Sequence, residues 1–338
     1  MVEATGMGAT KLDVAVYTIR ALNDLVEMAD SKGDSPTRNW AAMTAGALTN
    51  NFRQDWWIPS LGLFADSLAL SQVVPTDPPA TLGTQKGYTQ LQQLYWIDAT
   101  PMETSFALTG DAAMSFPQLE SSTFTGTTGF FQQGQSLPAI QGNLQASAVN
   151  TGVMAIAEAN YGRMDESLRY VEFIADELDV EQPGALPELF DSPDYQYFSG
   201  GNPFGGAMVM QAWSSYGIHW PLEELYLGIK PDAPAKAIAV VPDLPDSWRE
   251  LSINNLHVGS DQIAVSVKRA GINYVTTVSA PAGWRLTIGY TFPVNTQIKS
   301  VRLNNSPAAF QIVNTKRGEE IHVQTNSGGA QEVRIQIE

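Results

Sequence analysis

The stretch LDVAVYTIRALNDLVEM, residues 12–28, carries the periodicity on which the fold of the first two thirds of the chain depends. Its apolar residues recur at spacings of three and four, which is typical of an amphipathic α-helix. Gly33 and Pro36 follow and predict the end of this helix. Similar patterns predict helices over 39–57, 151–160, 165–178 and 203–216, with shorter helices near 87–94 and 101–120.

From about Pro234 onward the hydrophobic period changes to two. In DQIAVSVKR, residues 261–269, apolar and polar residues alternate as they do in a half-buried strand. Similar runs, separated by Gly, Asn and Pro, are NYVTTVSA (273–280), RLTIGY (285–290), QIKSVRL (297–303), AFQIV (309–313), EIHVQT (320–325) and EVRIQI (332–337). Short strands at this spacing predict an antiparallel β-sandwich. With PDAPAK (231–236) as the junction, we expect a helical domain over 1–230 and a β-sandwich domain over 231–338.

Charge and composition limit the function classes. The 338 residues carry a formal net charge of −16, contain no Cys and contain only three His. Such an acidic chain lacks the electrostatic surface that binds nucleic acid or anionic membranes. We expect no metal and no cofactor, and any chemistry is assigned to carboxylates. Because no signal-peptide pattern or apolar stretch of about 18 residues occurs, we expect a soluble protein, with the cytoplasm favoured.

Four long loops between the predicted helices combine aromatic and polar residues. They are QDWWIPSLGLFAD (54–66), QLYWIDATPMET (93–104), FTGTTGFFQQGQ (124–135) and PGALPELFDSPDYQYFSGG (183–201). Aromatic rings stack on sugar faces, and carboxylates and amides bind sugar hydroxyls, so these loops together indicate a carbohydrate site. Packing in the core is the alternative for any single aromatic residue. The expected substrate-binding residues in these loops are Asp66, Trp96, Asp98, Gln133 and Tyr195.

Three carboxylates in the helical part stand out. Glu188 follows Pro187 in a loop stiffened by Pro183 and Gly184, which suits a fixed functional side chain, although a solvated loop carboxylate has the same pattern. Asp13 lies in the first turn of the first helix, where it either contacts substrate or interacts with the helix dipole. Glu158 is interpreted as structural, paired with Arg163 or a similar partner.

The segment PELFDSPDYQYFSGGNPFGGAMVMQAWSSYGI (187–218) resembles the end of the helical barrel in bacterial glycogen debranching enzymes of the amylo-α-1,6-glucosidase type. Glu188, Phe190 and Asp191 match a loop of that family, and Gln211 to Ser214 match its last helix. The residues GATKLDVAVYTIRALNDLVEMADSKGD (8–34) are similar to a family helix, with Asp13 in place of the usual Glu. WWIPSLGLFADSL (56–68) and FFQQG (130–134) are similar to two family loops, whereas the family's Trp-Pro pair is absent near 135–146.

More broadly, the chain resembles six-hairpin glycosidases, which include glucoamylase. The resemblance implies an (α/α)6 toroid followed by a β-sandwich, and an inverting glycoside hydrolase acting on α-glucosidic or related oligosaccharides. It implies that Glu188 is the general base. The family's general acid lies just upstream of the helix that begins near Asp13, at a position that would fall before Met1, so the resemblance implies that this chain lacks it. Glu3 is the nearby carboxylate that could substitute, and Asp98 and Glu103 are further candidates if the chain is active alone.

Length adds one more expectation. A toroid of twelve helices needs roughly 350–400 residues, and about 228 precede the strands. We therefore expect the C-terminal part of a toroid, inactive alone unless a separate N-terminal chain or a swapped copy completes it. A non-catalytic carbohydrate-binding protein is the alternative. An epimerase would need paired His, and a lyase would use Tyr195 or Tyr197.

Overall fold

A computed structural model describes residues 7–70, 80–85, 88–134, 145–178, 180, 182–190, 208 and 210–338. The chain forms two compact units. The first unit comprises residues 1–157 and 170–217, and the second comprises residues 158–169 and 218–338. None of the helices in the described ranges has both the length and the apolar character needed to cross a bilayer.

The first unit begins with an antiparallel pair of long helices, α1 (Leu12–Lys32) and α2 (Ser35–Asp55). Gly33 ends α1 in a left-handed conformation, φ 70°, which glycine adopts without steric cost. Asp34 caps α2 by accepting a 3.2 Å hydrogen bond from the Thr37 N–H, and Pro36 lies in the first turn. Both predicted helices are confirmed, but α2 begins before residue 39 because proline is compatible with a helix start.

Small β-structures surround the helix pair. The strands are β1 (Thr10–Lys11), β2 (Trp57–Ile58), β3 (Leu63–Phe64), β4 (Ser67–Leu70), β5 (Ala80–Gln85) and β6 (Tyr88–Gln92). Strands β2 and β3 form a hairpin. The other four form an antiparallel sheet with the order β1-β4-β6-β5.

The helix predicted near 87–94 is wrong, because Tyr88–Gln92 is a strand. The buried Gln90 and Gln92 donate side-chain hydrogen bonds to the backbone carbonyls of Asp55 and Phe64. These glutamines pack as interior residues of a strand, and their polarity conceals the strand pattern in the sequence.

The helix predicted over 101–120 consists of two helices, α3 (Thr100–Glu103) and α4 (Thr109–Leu119), preceded by a 3-10 turn at Trp96–Ala99. Ser105, between the two helices, has φ 59°, which a continuous right-handed helix cannot contain. Helices α5 (Ala148–Asn160) and α6 (Met164–Ala175) confirm the predictions for this part of the chain.

The last helical segment differs from the prediction of a helix over 203–216. Gln211 is extended, with φ −121° and ψ 124°, because its N–H bonds to the Leu186 carbonyl at 3.0 Å. A 3-10 turn (Ala212–Ser215), α7 (Tyr216–Trp220) and a π-helical turn (Pro221–Tyr226) follow. Residues 203–207 and 209 lie outside the described residues.

The second unit contains the two sheets of the predicted sandwich. Its strands are β7 (Ile229–Asp232), β8 (Ala237–Val240), β9 (Glu250–Val258), β10 (Asp261–Ala270), β11 (Asn273–Ala280), β12 (Arg285–Phe292), β13 (Ile298–Leu303), β14 (Ser306–Pro307), β15 (Gln311–Asn314), β16 (Glu319–Asn326) and β17 (Gly329–Ile337). One sheet has the order β14-β13-β17-β11-β10-β9, and the other has the order β15-β16-β12-β8-β7. Neighbouring strands in both sheets are antiparallel except β8 and β12, which are parallel.

The strands expected from the period-two pattern are confirmed. Trp284 is fully buried, and its Nε1 donates a 2.9 Å hydrogen bond to Asp261. Tyr274 packs edge-on against Phe292. The segment PDAPAK contains the last two residues of β7 and the turn to β8, and Asp232 faces Ala237 in this hairpin. The domain boundary at residue 230 stays a prediction.

The closed toroid also stays a prediction. Within the described ranges, α5 is buried on nearly all sides, as an inner helix of a layered α-structure would be. In contrast, α2 buries only a stripe formed by Ala41, Ala45, Phe52 and Asp55. Among the described helices, α5 is therefore enclosed, whereas most of the surface of α2 is exposed.

Candidate active site

Glu188 lies in a loop that is attached to the start of α5. The Ala148 N–H donates to the Glu188 carbonyl at 3.1 Å, and Phe190 N–H donates to the Ala146 carbonyl at 3.1 Å. The Glu188 side chain is half-buried. Its Oε2 accepts a 3.0 Å hydrogen bond from the Met208 N–H, while the Met208 carbonyl accepts from the Glu188 N–H at 2.9 Å. The carboxylate is thus held by backbone groups and keeps partial access to solvent.

Isolated bridges connect this loop sideways to two other loops. Tyr95 pairs with Gln133, Phe131 pairs with Ala146, and Ser147 pairs with Leu189. We call the four segments around Tyr95, 131–133, 145–147 and 188–190 the bridge row. Adjacent strands lie about 4.8 Å apart, so the three steps of the row cover on the order of 14 Å of backbone. The bridge row brings three of the four aromatic-polar loops together.

The segment after residue 210 supports the Glu188 loop. Ser214 Oγ donates a 2.9 Å hydrogen bond to the Pro187 carbonyl. Gly217 in α7 lies so close to α5 that a Cβ placed there would be 2.6 Å from the Gly152 Cα, and only glycine fits this approach. Gln211 and Ser214 of the QAWS segment therefore hold the loop that carries Glu188, because each donates a hydrogen bond to a carbonyl of that loop.

Asp66 and Asp98 are both fully buried, and their carboxyl groups lie close enough to interact electrostatically. The backbone N–H groups of Gln93 and Tyr95 donate to Asp66, and Gln92 Nε2 donates to Asp98 Oδ2 at 2.7 Å. Burial raises the pKa of Asp66 to about 8, although backbone N–H donors oppose the change. Burial also raises the pKa of Asp98 well above its usual range, and the charge of the neighbouring Asp66 carboxyl adds to this increase. Burial therefore makes the charged form of both carboxyl groups less favourable than it is in water.

Trp96 and Gln133 lie where the segment 93–96 is hydrogen-bonded to the segment 132–133. The Trp96 N–H donates to the Gln132 carbonyl at 3.1 Å, and Gln133 Nε2 donates to the Gln93 carbonyl at 2.9 Å. Both side chains are almost completely buried. Four of the predicted substrate-binding residues are thus brought together by the 90–98 segment, and their contact with a sugar stays a prediction.

A second polar cluster joins α1 to α3 and α7. Glu103 Oε1 accepts a 2.6 Å hydrogen bond from the Tyr216 hydroxyl and lies 3.3 Å from Arg20 Nη1. Burial raises the pKa of Glu103, while its hydrogen bonds to Tyr216 and Tyr17 and the charge of Arg20 oppose this change. Burial raises the pKa of the Tyr17 hydroxyl, and the negative charges of Glu103 and Asp13 raise it further. Asp13, half-buried in the first turn of α1, therefore lies near this cluster.

The remaining sequence predictions have separate outcomes. Glu3 and Tyr195 lie outside the described residues. Arg163 Nε bonds to Glu158 Oε2 at 2.5 Å, which confirms the structural interpretation of Glu158. The aromatic residues Trp56, Phe64, Phe124, Phe130 and Phe131 are buried in the core, as the packing alternative expects.

Sequence reasoning misses Tyr216 and the glutamines 90, 92 and 93. Tyr216 directly follows the QAWSS run, and the three glutamines occupy a four-residue window. These residues are easily seen in the sequence, but the groups to which they hydrogen-bond are distant in the chain, so their roles are not. Within the described residues, no group of three His, Asp or Glu side chains is placed to hold a metal ion.

No protein-family model matches the chain, and no curated protein matches it. Solved structures do. A sialidase aligns with a TM-score of 0.58 and 13% identity over 76% of this chain and 23% of its own. An α-L-rhamnosidase from Dictyoglumus thermophilum aligns with a TM-score of 0.57 and 10% identity over 95% of this chain and 31% of its own. An α-L-rhamnosidase from Streptomyces avermitilis, complexed with L-rhamnose, aligns with a TM-score of 0.55 and 12% identity over 95% of this chain and 26% of its own.

At these identities the likeness concerns the fold alone. This chain spans between 23% and 31% of the length of the three proteins. The described architecture, in which helices precede an antiparallel β-structure, is therefore similar to that found in parts of larger glycosidases.

Proposed function

We propose that this chain is a glycoside hydrolase, or the base-bearing part of one. The observation that carries the proposal is the half-buried Glu188 carboxylate, held by backbone hydrogen bonds on the bridge row and supported through Ser214. A fixed carboxylate with access to solvent suits a group that must orient a water molecule. The fold likeness to a sialidase and two rhamnosidases supports the same class of reaction.

The proposed mechanism is inversion with Glu188 as general base. Met208 N–H orients Oε2, and the other carboxylate oxygen accepts a proton from water as the water attacks the anomeric carbon. A carboxylic acid on the opposite side of the sugar protonates the leaving oxygen. In an inverting pair the two carboxyl groups lie roughly 6.5–9.5 Å apart, which leaves room for the water.

The general acid is proposed to be Glu3. Asp98 and Glu103 have raised pKa values, as an acid catalyst needs. However, the Asp98 carboxyl is fully buried and bonds to Gln92, and the Glu103 carboxyl is enclosed by Tyr216 and Arg20. Neither has an open path to a leaving group in this arrangement, so we assign them to the support of the site.

The proposed substrate is an α-glucosidic or related oligosaccharide. Asp13, which is half-buried beside Tyr17, is the proposed contact at the start of α1. Tyr195 is a further proposed contact. The buried residues Asp66, Trp96, Asp98 and Gln133 are proposed to serve the substrate site by positioning the backbone of the bridge row.

A second candidate function has its own observation. On α2, Trp40 is 57% exposed and Met43, one helical turn away, is 77% exposed. Apolar surface left in water costs about 25 cal/mol per Å². We propose as the alternative that another polypeptide, a separate chain or a second copy, covers this face, and that the chain alone binds carbohydrate without turnover.

The experiment compares the chain with Glu188→Gln on maltooligosaccharides, with Glu27→Gln as the control. Glu27 is an exposed residue of α1, and the two substitutions remove the same charge. In whichever sample turns over substrate, the chain alone or its oligomer, we expect the same rate in Glu27→Gln, a loss of at least about 10³-fold in Glu188→Gln, and similar sugar binding in all three. Unchanged turnover in Glu188→Gln would refute the base assignment.

The oligomeric state measured in the same samples separates the two candidates. A monomer with full turnover would exclude the alternative and support Glu3 as the acid, with Asp98 and Glu103 as the next candidates. Sugar binding without product in every variant would support the alternative.

A further inference from the structure

A cavity of about 330 Å³ lies in the first unit, away from the Glu188 loop. It is formed where α1 and α2 meet strands β1, β4 and β6. Its size is near the lower end of the range for small-molecule sites. Aromatic and aliphatic side chains form much of its lining, including Phe52, Trp56, Tyr88 and Leu68.

Asp55 is the acidic residue in this lining. It is only 5% exposed, and its Oδ1 has no hydrogen-bond partner in the part of the chain that the structure describes. Among the described residues, no Lys or Arg lines the cavity. A buried carboxylate oxygen without a partner is costly, because the group loses hydration and gains nothing in return. A positive charge held in the cavity beside this carboxylate would offset the cost electrostatically.

The position of Asp55 in the fold strengthens the preference for a cation. Asp55 is the last residue of α2, a helix of 21 residues. The C-terminal end of a helix carries a partial negative charge that stabilises cations and destabilises anions. Gln90 Nε2 donates to the Asp55 carbonyl at 2.8 Å, so the backbone at this end is held in place. Helix dipole and side-chain charge therefore act in the same direction.

The lining also defines the rest of the ligand. Aromatic rings attract organic cations through their negative faces, with Trp and Tyr the more effective, and they pack against apolar groups. Ala15 and Thr18 on α1 leave room in this crevice. We infer that the cavity binds a small organic ammonium ion that carries an apolar or ring-shaped body, with the ammonium group at the end of the cavity beside Asp55.

The test uses two probes of the same shape, benzylammonium and benzyl alcohol, titrated calorimetrically into the full chain at moderate salt. We expect benzylammonium to bind with a dissociation constant of about 1 mM or tighter, and benzyl alcohol to bind at least about tenfold more weakly. Asp55→Asn should weaken benzylammonium binding by about tenfold or more. Asp24→Asn is the matched control, because Asp24 is exposed on α1 and its substitution removes the same charge.

A second variant keeps the inference testable if Asp55→Asn fails to fold. Ala15→Met fills the cavity without altering Asp55, and it should weaken benzylammonium binding to a similar extent. The inference is overturned if the unsubstituted chain binds no benzylammonium at about 20-fold the expected constant, about 20 mM. Equal affinity for the two probes, or unchanged affinity in either folded variant, would overturn it as well.

Discussion

Replacing Gly217 by alanine tests how the last helical segment holds the Glu188 loop. A Cβ at residue 217 would lie 2.6 Å from the Gly152 Cα and 3.3 Å from the Gly152 N, and it would also contact Ile174 Cδ1. Ordinary carbon contacts are about 3.5–4.0 Å, so the backbones must separate by on the order of 1 Å. Ile174 can move its terminal methyl group, but α5 is enclosed on nearly all sides and cannot yield easily.

The expected magnitude is the difference between two effects. Overpacking of this kind costs about 1–3 kcal/mol, and alanine in a helix recovers up to about 1 kcal/mol relative to glycine. We expect Gly217→Ala to lower the free energy of unfolding by about 1–2 kcal/mol. The same displacement moves Tyr216 and Ser214 away from Glu103 and Pro187, so carbohydrate turnover should fall as well.

Urea unfolding followed by circular dichroism measures the effect. Gly46→Ala is the control, because Gly46 lies in α2 and a Cβ added to it would have no neighbouring atom within 4 Å among the described residues. That variant should be more stable by about 0.5–1 kcal/mol. Equal stability of Gly217→Ala and the unsubstituted chain, or a loss in Gly46→Ala of the same size, would refute the packing argument.

Three further predictions concern the polar clusters. Tyr216→Phe removes the 2.6 Å hydrogen bond to Glu103 and should lower the free energy of unfolding by about 1.5–3 kcal/mol, measured by urea denaturation; an unchanged midpoint would contradict this. Ser214→Ala should cost about 1 kcal/mol and lower turnover more than it raises KM, whereas a change in KM alone would contradict its support of Glu188. Because burial raises the folded-state pKa of Asp66 to about 8, the folded chain holds an extra proton, and the free energy of unfolding should fall as pH rises from about 4 to about 8. The slope for one proton is at most about 1.4 kcal/mol per pH unit, and it should become shallower in Asp66→Asn, so equal slopes in urea titrations would contradict the assignment.

Much of the fold follows from local patterns. Strands β10, β11 and β16 alternate apolar and polar residues because one face of each is largely buried, and this period is visible without the partner strand. Helix α1 is visible for the same reason, since its core-facing stripe repeats every three or four residues. The bounds of such elements can be predicted to within a few residues.

The pattern fails where polar groups are buried. Gln90 and Gln92 lie inside the first unit because their amides bond to carbonyls of residues 55 and 64, which are distant in sequence. The proximity of Asp66 to Asp98 depends on the same tertiary arrangement. The stiff loop around Glu188 is predictable from its prolines, but its support by Ser214 and by the contact between α5 and α7 is not.

The configuration of the first product tests the central claim most directly. Proton NMR of an α-linked maltooligosaccharide during early hydrolysis distinguishes the two anomers before they interconvert. If Glu188 activates water for direct attack, the β anomer appears first with the unsubstituted chain and does not appear with Glu188→Gln. Initial formation of the α anomer, or of the β anomer at an unchanged rate in Glu188→Gln, would contradict the account.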